Sequence, residues 1–204
     1  MKTFIVGPGL MVTLALAASF SYAQELAPDI LLNSVAIEVI AIIKKDNDAQ
    51  TGSSLKVAEL VETKILPLFD FPRMTRIVMA RNWQVASPQQ QQTLTREFET
   101  LLVHTYSTVL SSYRDQSIEF APLNMAPGDK EVTVKSVVNQ PGTAQMSIDY
   151  HMVKGITGWK VVDITIGGVS VVSIYRQMFA EKVRNDGVEG LIKLLDDKNQ
   201  QGKS

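Results

Sequence analysis

Residues 144–152, AQMSIDYHM, alternate without a break. Ala144, Met146, Ile148, Tyr150 and Met152 point one way, and Gln145, Ser147, Asp149 and His151 point the other. A period of two with one apolar side marks a strand half-buried in an antiparallel sheet. The runs at 131–138 (EVTVKSVV) and 159–166 (WKVVDITI) flank it, joined by the turn-forming connectors 140–143 (QPGT) and 155–158 (GITG). Residues 118–123 add a first strand, so the pattern predicts a four-stranded antiparallel meander that Gly167-Gly168 ends. Such a sheet leaves an apolar face that helices must cover.

The helices stand on both sides of the strands in sequence. Residues 29–45 are dense in Ile, Leu and Val, which predicts a helix buried on most sides. Residues 55–69 keep helical spacing through Leu55, Ala58, Leu60, Val61, Ile65 and Leu66. Pro67 and Pro72 bracket a bend before a short helix at 73–83. Ser87-Pro88-Gln89-Gln90 combines an N-cap serine, a first-turn proline and a capping-box glutamine. The helix it starts runs to about Tyr113, with Leu94, Phe98, Leu101, Leu102 and Tyr106 on one broad face. After the strands, Val171, Ile174, Tyr175, Met178 and Phe179 return to a helical period. Gly187 and Gly190 punctuate a last short helix at 191–195, and 196–204 reads as a frayed tail. The class is α+β: a helical N-terminal half, the meander, C-terminal helices, and one domain over residues 24–204.

The amino-terminal segment is an address rather than part of that domain. Residues 1–23 carry Lys2, an apolar run from Leu10 to Ala18, and Ser21-Tyr22-Ala23. Small residues at the last and third-last positions suit signal peptidase. The uninterrupted apolar run is too short for a membrane span of about 20 residues. No lipobox cysteine is present, so the expected product is soluble and exported.

Composition removes much ordinary enzymology. The chain has no cysteine, which excludes thiol catalysis, disulfides and thiolate zinc sites. Two histidines, His104 and His151, do not make a histidine cage. Twenty basic against 21 acidic residues give a net charge of −1, which argues against nucleic-acid binding. Ser170, His104 and Asp163 are the residue types of a hydrolase triad, but no nucleophile-elbow glycine pattern surrounds any serine. Gly167-Gly168 lacks a Walker lysine and is no phosphate cradle. Arg73, Arg76 and Arg81 share one wide helix face, suited either to lipid phosphates or an acidic partner, or simply to solvent. What remains is apolar surface on sheet and helices, which periodicity alone assigns equally to a packed core or a lined cavity.

A succession of short motifs carries a family resemblance. Phe69-Asp-Phe-Pro-Arg-Met-Thr-Arg76 is followed by Ala80-Arg-Asn-Trp83, Ala86-Ser-Pro-Gln-Gln90 and Thr105-Tyr106. The second half adds Trp159-Lys-Val-Val-Asp163, Gly168-Val-Ser170, Tyr175-Arg176, Phe179 and Gly187-Val-Glu-Gly-Leu-Ile192. In this order the chain resembles the periplasmic phospholipid-binding proteins of the maintenance-of-lipid-asymmetry (Mla) pathway, also called the toluene-tolerance family. Two positions depart from that pattern: Ala80 and Gly167 stand where the family commonly has glycine and an acidic residue.

The resemblance implies a soluble carrier in the periplasm of a Gram-negative bacterium, with phospholipid as cargo, no cofactor and no catalytic or metal site. Its implied partners are an outer-membrane lipoprotein–porin complex and an inner-membrane ABC transporter complex with its substrate-binding ring. It also implies an apolar cavity between sheet and helices. The apolar faces then nominate Leu101, Leu102, Tyr106, Met146, Ile148, Tyr150, Val162, Val171, Tyr175 and Phe179 as its lining, with Trp83 closing one end. The rivals are a secreted hydrolase of lipid or glycan esters and a structural periplasmic adaptor.

Overall fold

The structure is a computed structural model, and it describes residues 26–45, 59–111 and 116–202. The expected signal peptide at 1–23 lies outside the described residues, as do residues 55–58 of the second expected helix and Tyr113. Helix α1 spans Pro28–Lys45. A single π-helical turn (Val61–Ile65) and a 3₁₀ turn (Leu66–Leu68) follow. Helix α2 is Phe71–Met79, a 3₁₀ stretch covers Ala80–Val85, and α3 is Pro88–Ser111. The strands are β1 (Ser117–Phe120), β2 (Glu131–Asn139), β3 (Met146–Gly155), β4 (Gly158–Ile166) and β5 (Val169–Ser170), before α4 (Val171–Gln201).

The helix starts obey their local chemistry. Ser87 N–H donates to Gln90 Oε1 at 2.7 Å and Gln90 N–H to Ser87 Oγ at 3.2 Å, the reciprocal capping box that the sequence predicts. Asp70 caps α2 by accepting from Arg73 N–H at 2.9 Å, so this helix begins at Phe71, with Pro72 inside its first turn, and not at residue 73. It ends at Ala80, whose φ of 48° and ψ of −125° turn the chain sharply.

The sheet has five antiparallel strands in the order β1-β2-β3-β4-β5, one more than the four predicted. Gly167 and Gly168 do not end it. They take φ values of 56° and 84°, make a two-residue hairpin, and pair Ile166 with Val169. Two successive positive-φ residues match the twist of a tight hairpin, which glycine allows without a Cβ clash. The register also shifts between His151 and Met152, where Val162 is the extra residue on β4. Val161 and Val162 are consequently both buried, and the strict alternation breaks there.

The other two corrections concern helices. Helix α1 buries Leu32, Val39 and Ile43, but Ile30 and Ile37 are 52% and 58% exposed, so it is not buried on most sides. Helix α4 is interrupted at Gly187 (φ 71°, ψ −177°), as the sequence predicts, but its second part runs to Gln201, so residues 196–201 are not a frayed tail. Asn199 is buried and its Nδ2 donates to Glu97 O and Oε2 at 3.0 and 2.9 Å, tying that end to α3.

Two apolar clusters result. The larger joins α2, α3, α4 and the sheet around Phe98 and Phe179, and the smaller joins Leu32 of α1 to Val134, Met152, Trp159 and Val161. Phe69 and Ile164 pack against both.

Candidate functional site

The larger cluster is not completely filled. A slot of about 110 Å³ lies between β4 and the helices. Leu102, Val103 and Tyr106 of α3 form one wall, with Phe71 and Met74 of α2 beside them. Ile164 and Ile166 of β4 and Val171 at the start of α4 form the opposite side. The segment 61–69 lies against the slot, contributing Val61, Ile65, Leu66 and Phe69.

That segment is held by the sheet and by α1. Lys160 Nζ donates to Pro67 O at 2.6 Å, and Asp70 N–H donates to Val161 O at 3.0 Å beside a Phe69–Val161 bridge. Lys64 pairs with Glu38 of α1 at 2.6 Å. Short π and 3₁₀ turns do not present the regular ridges by which long helices interdigitate, so a gap persists beneath them.

Of the twelve lining residues, Tyr106 alone carries a side-chain oxygen or nitrogen. Burial pushes its phenol above the ordinary value, and nearby Tyr175 adds to the shift. Burial likewise raises Tyr175, with a hydrogen bond to Thr105 partly opposing it. Both phenols therefore stay neutral and able to donate across the physiological range. Such a site withdraws apolar matter from water and offers a hydroxyl at one place.

The residues nominated from sequence divide into three groups. Leu102, Tyr106 and Val171 stand in the wall. Leu101, Val162 and Phe179 are buried in the surrounding cluster, and Tyr175 packs edge-on against Phe98 with centroids 5.0 Å apart. The structure does not bring the others to the slot. Tyr150 stacks on Phe120 at 6.0 Å beside the smaller cluster. Ile148 is half-buried opposite Ser136 and Ile166, and Met146 is 38% exposed. Trp83 packs against the larger cluster and lines a separate surface groove. Sequence reasoning missed Phe71, Met74, Val103, Ile164 and Ile166 and the whole 61–69 contribution. The apolar alternation of β4 was the available signal for Ile164 and Ile166.

Two residues of the imagined triad, Ser170 and Asp163, serve as a helix cap. Ser170 Oγ donates to Asp163 Oδ2 at 2.6 Å and accepts from Ser173 N–H at 3.0 Å. Asp163 Oδ1 accepts from the N–H groups of Ile164 and Val172 at 2.8 and 3.0 Å. His151 lies opposite Asp163 in the ladder without a hydrogen bond to it. His104, the histidine of that triad, lies on α3 beside Gly202 at the end of α4 and bonds to neither Ser170 nor Asp163; a hydroxyl satisfied by a carboxylate and a helix amide is a structural joint. Among the described residues no group of three or more metal-ligating side chains converges, and no helix is long and apolar enough to cross a membrane.

A family model described as MlaC protein matches residues 33–197. The chain belongs to the MlaC family. It is similar to the toluene tolerance protein Ttg2D of Pseudomonas putida, at 22% identity over 185 residues covering 90% of this chain and 85% of that protein. It is also similar to a solved phospholipid-binding protein from Ralstonia solanacearum, determined in complex with a phospholipid. That match has 37% identity and a TM-score of 0.81, covering 88% of this chain and all of the other. The α+β frame around the slot is thus shared with a phospholipid-binding protein solved in complex with a phospholipid.

Proposed function

We propose that this MlaC-family chain is a soluble phospholipid carrier of the periplasm. It moves lipid between the outer-membrane lipoprotein–porin complex and the inner-membrane ABC transporter complex with its substrate-binding ring, so maintaining outer-membrane lipid asymmetry. The observation that carries this reading is the slot: a lining with one hydroxyl, in a fold shared with a phospholipid-bound relative.

The energetics explain why such a lining suits a carrier. Each methylene withdrawn from water is worth about 0.8 kcal/mol, so two acyl chains crossing water unprotected cost on the order of 20 kcal/mol. Aliphatic and aromatic walls remove that cost without making or breaking a bond. The slot is narrow, so loading a diacyl lipid widens it. Headgroups remain at the wet mouth, and the chemistry of the wall selects tails over headgroups.

The test is transfer of labelled phospholipid from donor to acceptor vesicles, followed by lipid analysis. The expected result is accelerated transfer with the lipid recovered intact. Recovery of lyso-lipid, or transfer no faster than without protein, would overturn the reading, the first outcome in favour of a hydrolase.

A further inference from the structure

Helix α2 has two faces with different company. Phe71 and Met74 line the slot, while Pro72, Arg73, Arg76 and Ile77 line a groove on the other side. At 100° per residue, the first pair and the second set fall on opposite sides of the helix. After α2 the sharp turn at Ala80 brings Arg81 and Trp83 to the same groove. Ala80 is the one non-glycine residue at positive φ among the described residues. A side chain held in that region costs energy, and such strain gathers at working surfaces.

The groove is roomy, about 860 Å³, and it is basic. Its lining holds three arginines against one carboxylate, Asp70, in a chain whose net charge is −1. Asp70 is engaged in capping α2, and Arg73 makes only a 3.4 Å contact with exposed Glu131. Arg76 and Arg81 have no ion-pair partner among the described residues. Arg176, whose Nε donates to Ile77 O at 3.3 Å, sets a fourth guanidinium beside the rim.

We infer that this arginine–tryptophan groove is a docking surface for an acidic protein partner, seated on the reverse of the helix that walls the slot. Guanidinium forks match carboxylates two bonds at a time, and tryptophan and arginine are among the residue types enriched where protein interfaces concentrate their energy. The concavity favours a protein over a bilayer, because a flat plane of headgroups does not enter a groove. The placement has a mechanical consequence: a partner gripping this face bears on the same helix that touches the cargo. The inference rests on the carrier reading, since the partners it fits are the complexes that give and receive lipid.

The probes are the two detergent-solubilised membrane complexes and phosphatidylcholine–phosphatidylglycerol vesicles, tested against the full chain. The variants are R76E/R81E and the milder R76Q/R81Q. Wild type should bind at least one complex, and more weakly as salt rises. R76E/R81E should bind that complex about tenfold or more weaker, with R76Q/R81Q between. Phospholipid co-purifying with the protein should be the same in all three, since neither arginine lines the slot. Unchanged affinity for both complexes, no binding by wild type, or a loss confined to vesicles would overturn the docking inference. Absence of phospholipid from wild type would instead overturn the carrier reading, leaving the binding comparison legible on its own.

Discussion

Strand β4 serves two apolar regions that use the same kinds of side chain and end differently. Trp159 and Val161 close against Leu32, Val134 and Met152, with the Phe120–Tyr150 stack alongside. Ile164 and Ile166, a few residues further on, face the slot. The difference lies in what covers each part of the strand. Large residues interlock over the first, while the second is covered partly by segment 61–69, a π turn and a 3₁₀ turn interrupted by Pro67. Apolar composition decides that a surface leaves water. The regularity of its cover decides whether the space behind it fills.

Removing bulk should separate the two regions most strongly. Met152→Ala in the closed cluster is expected to cost about 2–5 kcal/mol in denaturant unfolding, because the cavity it leaves cannot collapse. Ile166→Ala at the slot should cost less than half as much, since part of that side chain already faces open space. Equal losses would mean that the slot is as closely packed as the core.

Adding bulk reverses the ranking. Val161→Phe should destabilise by about 1–3 kcal/mol through overpacking. Ile166→Phe should be tolerated within about 1 kcal/mol while reducing the phospholipid that the protein carries. Tolerance at both positions, or at neither, breaks the distinction.

The smallest expected effect is alkaline. Tyr150 is raised chiefly by burial, with a hydrogen bond to Ser136 partly opposing the shift. A phenol whose folded pKa exceeds its unfolded value of about 10 contributes stability that is complete below that value. The contribution is lost as pH rises through the folded value. Thermal melts should therefore fall from about pH 10 upward, and Tyr150→Phe should flatten the fall. An identical slope in the variant would show that Tyr150 is not the group responsible.

Local chemistry was the part most readable in sequence. Ser87 and Gln90 announced the start of α3, alternation marked β3, and turn-like connectors set β2 and β4 on either side of it. Gly167-Gly168 reads as a stop in sequence, although two such residues equally make the tightest hairpin; only the pairing of Ile166 with Val169 decides between them. Gly187 marks a helix boundary in the sequence, and its non-helical backbone does interrupt α4 there; the helical turns that follow run on to Gln201 because Leu191, Leu195 and Asn199 are buried. The slot was least legible. Residues 59–69 have helical spacing, and it is contact with Val161 and Lys160, distant in sequence, that accompanies their irregular turns. Periodicity places Leu102 and Leu101 on the same broad face, whereas only packing shows that Leu102 meets the slot and Leu101 does not.

Denaturing extraction of the purified protein, followed by mass spectrometry with Ile166→Phe alongside, tests the account most directly. The wild type should yield phospholipid at close to one molecule per chain, and the filled variant clearly less at equal folding. A wild-type protein free of phospholipid, or equal amounts from both, would contradict it.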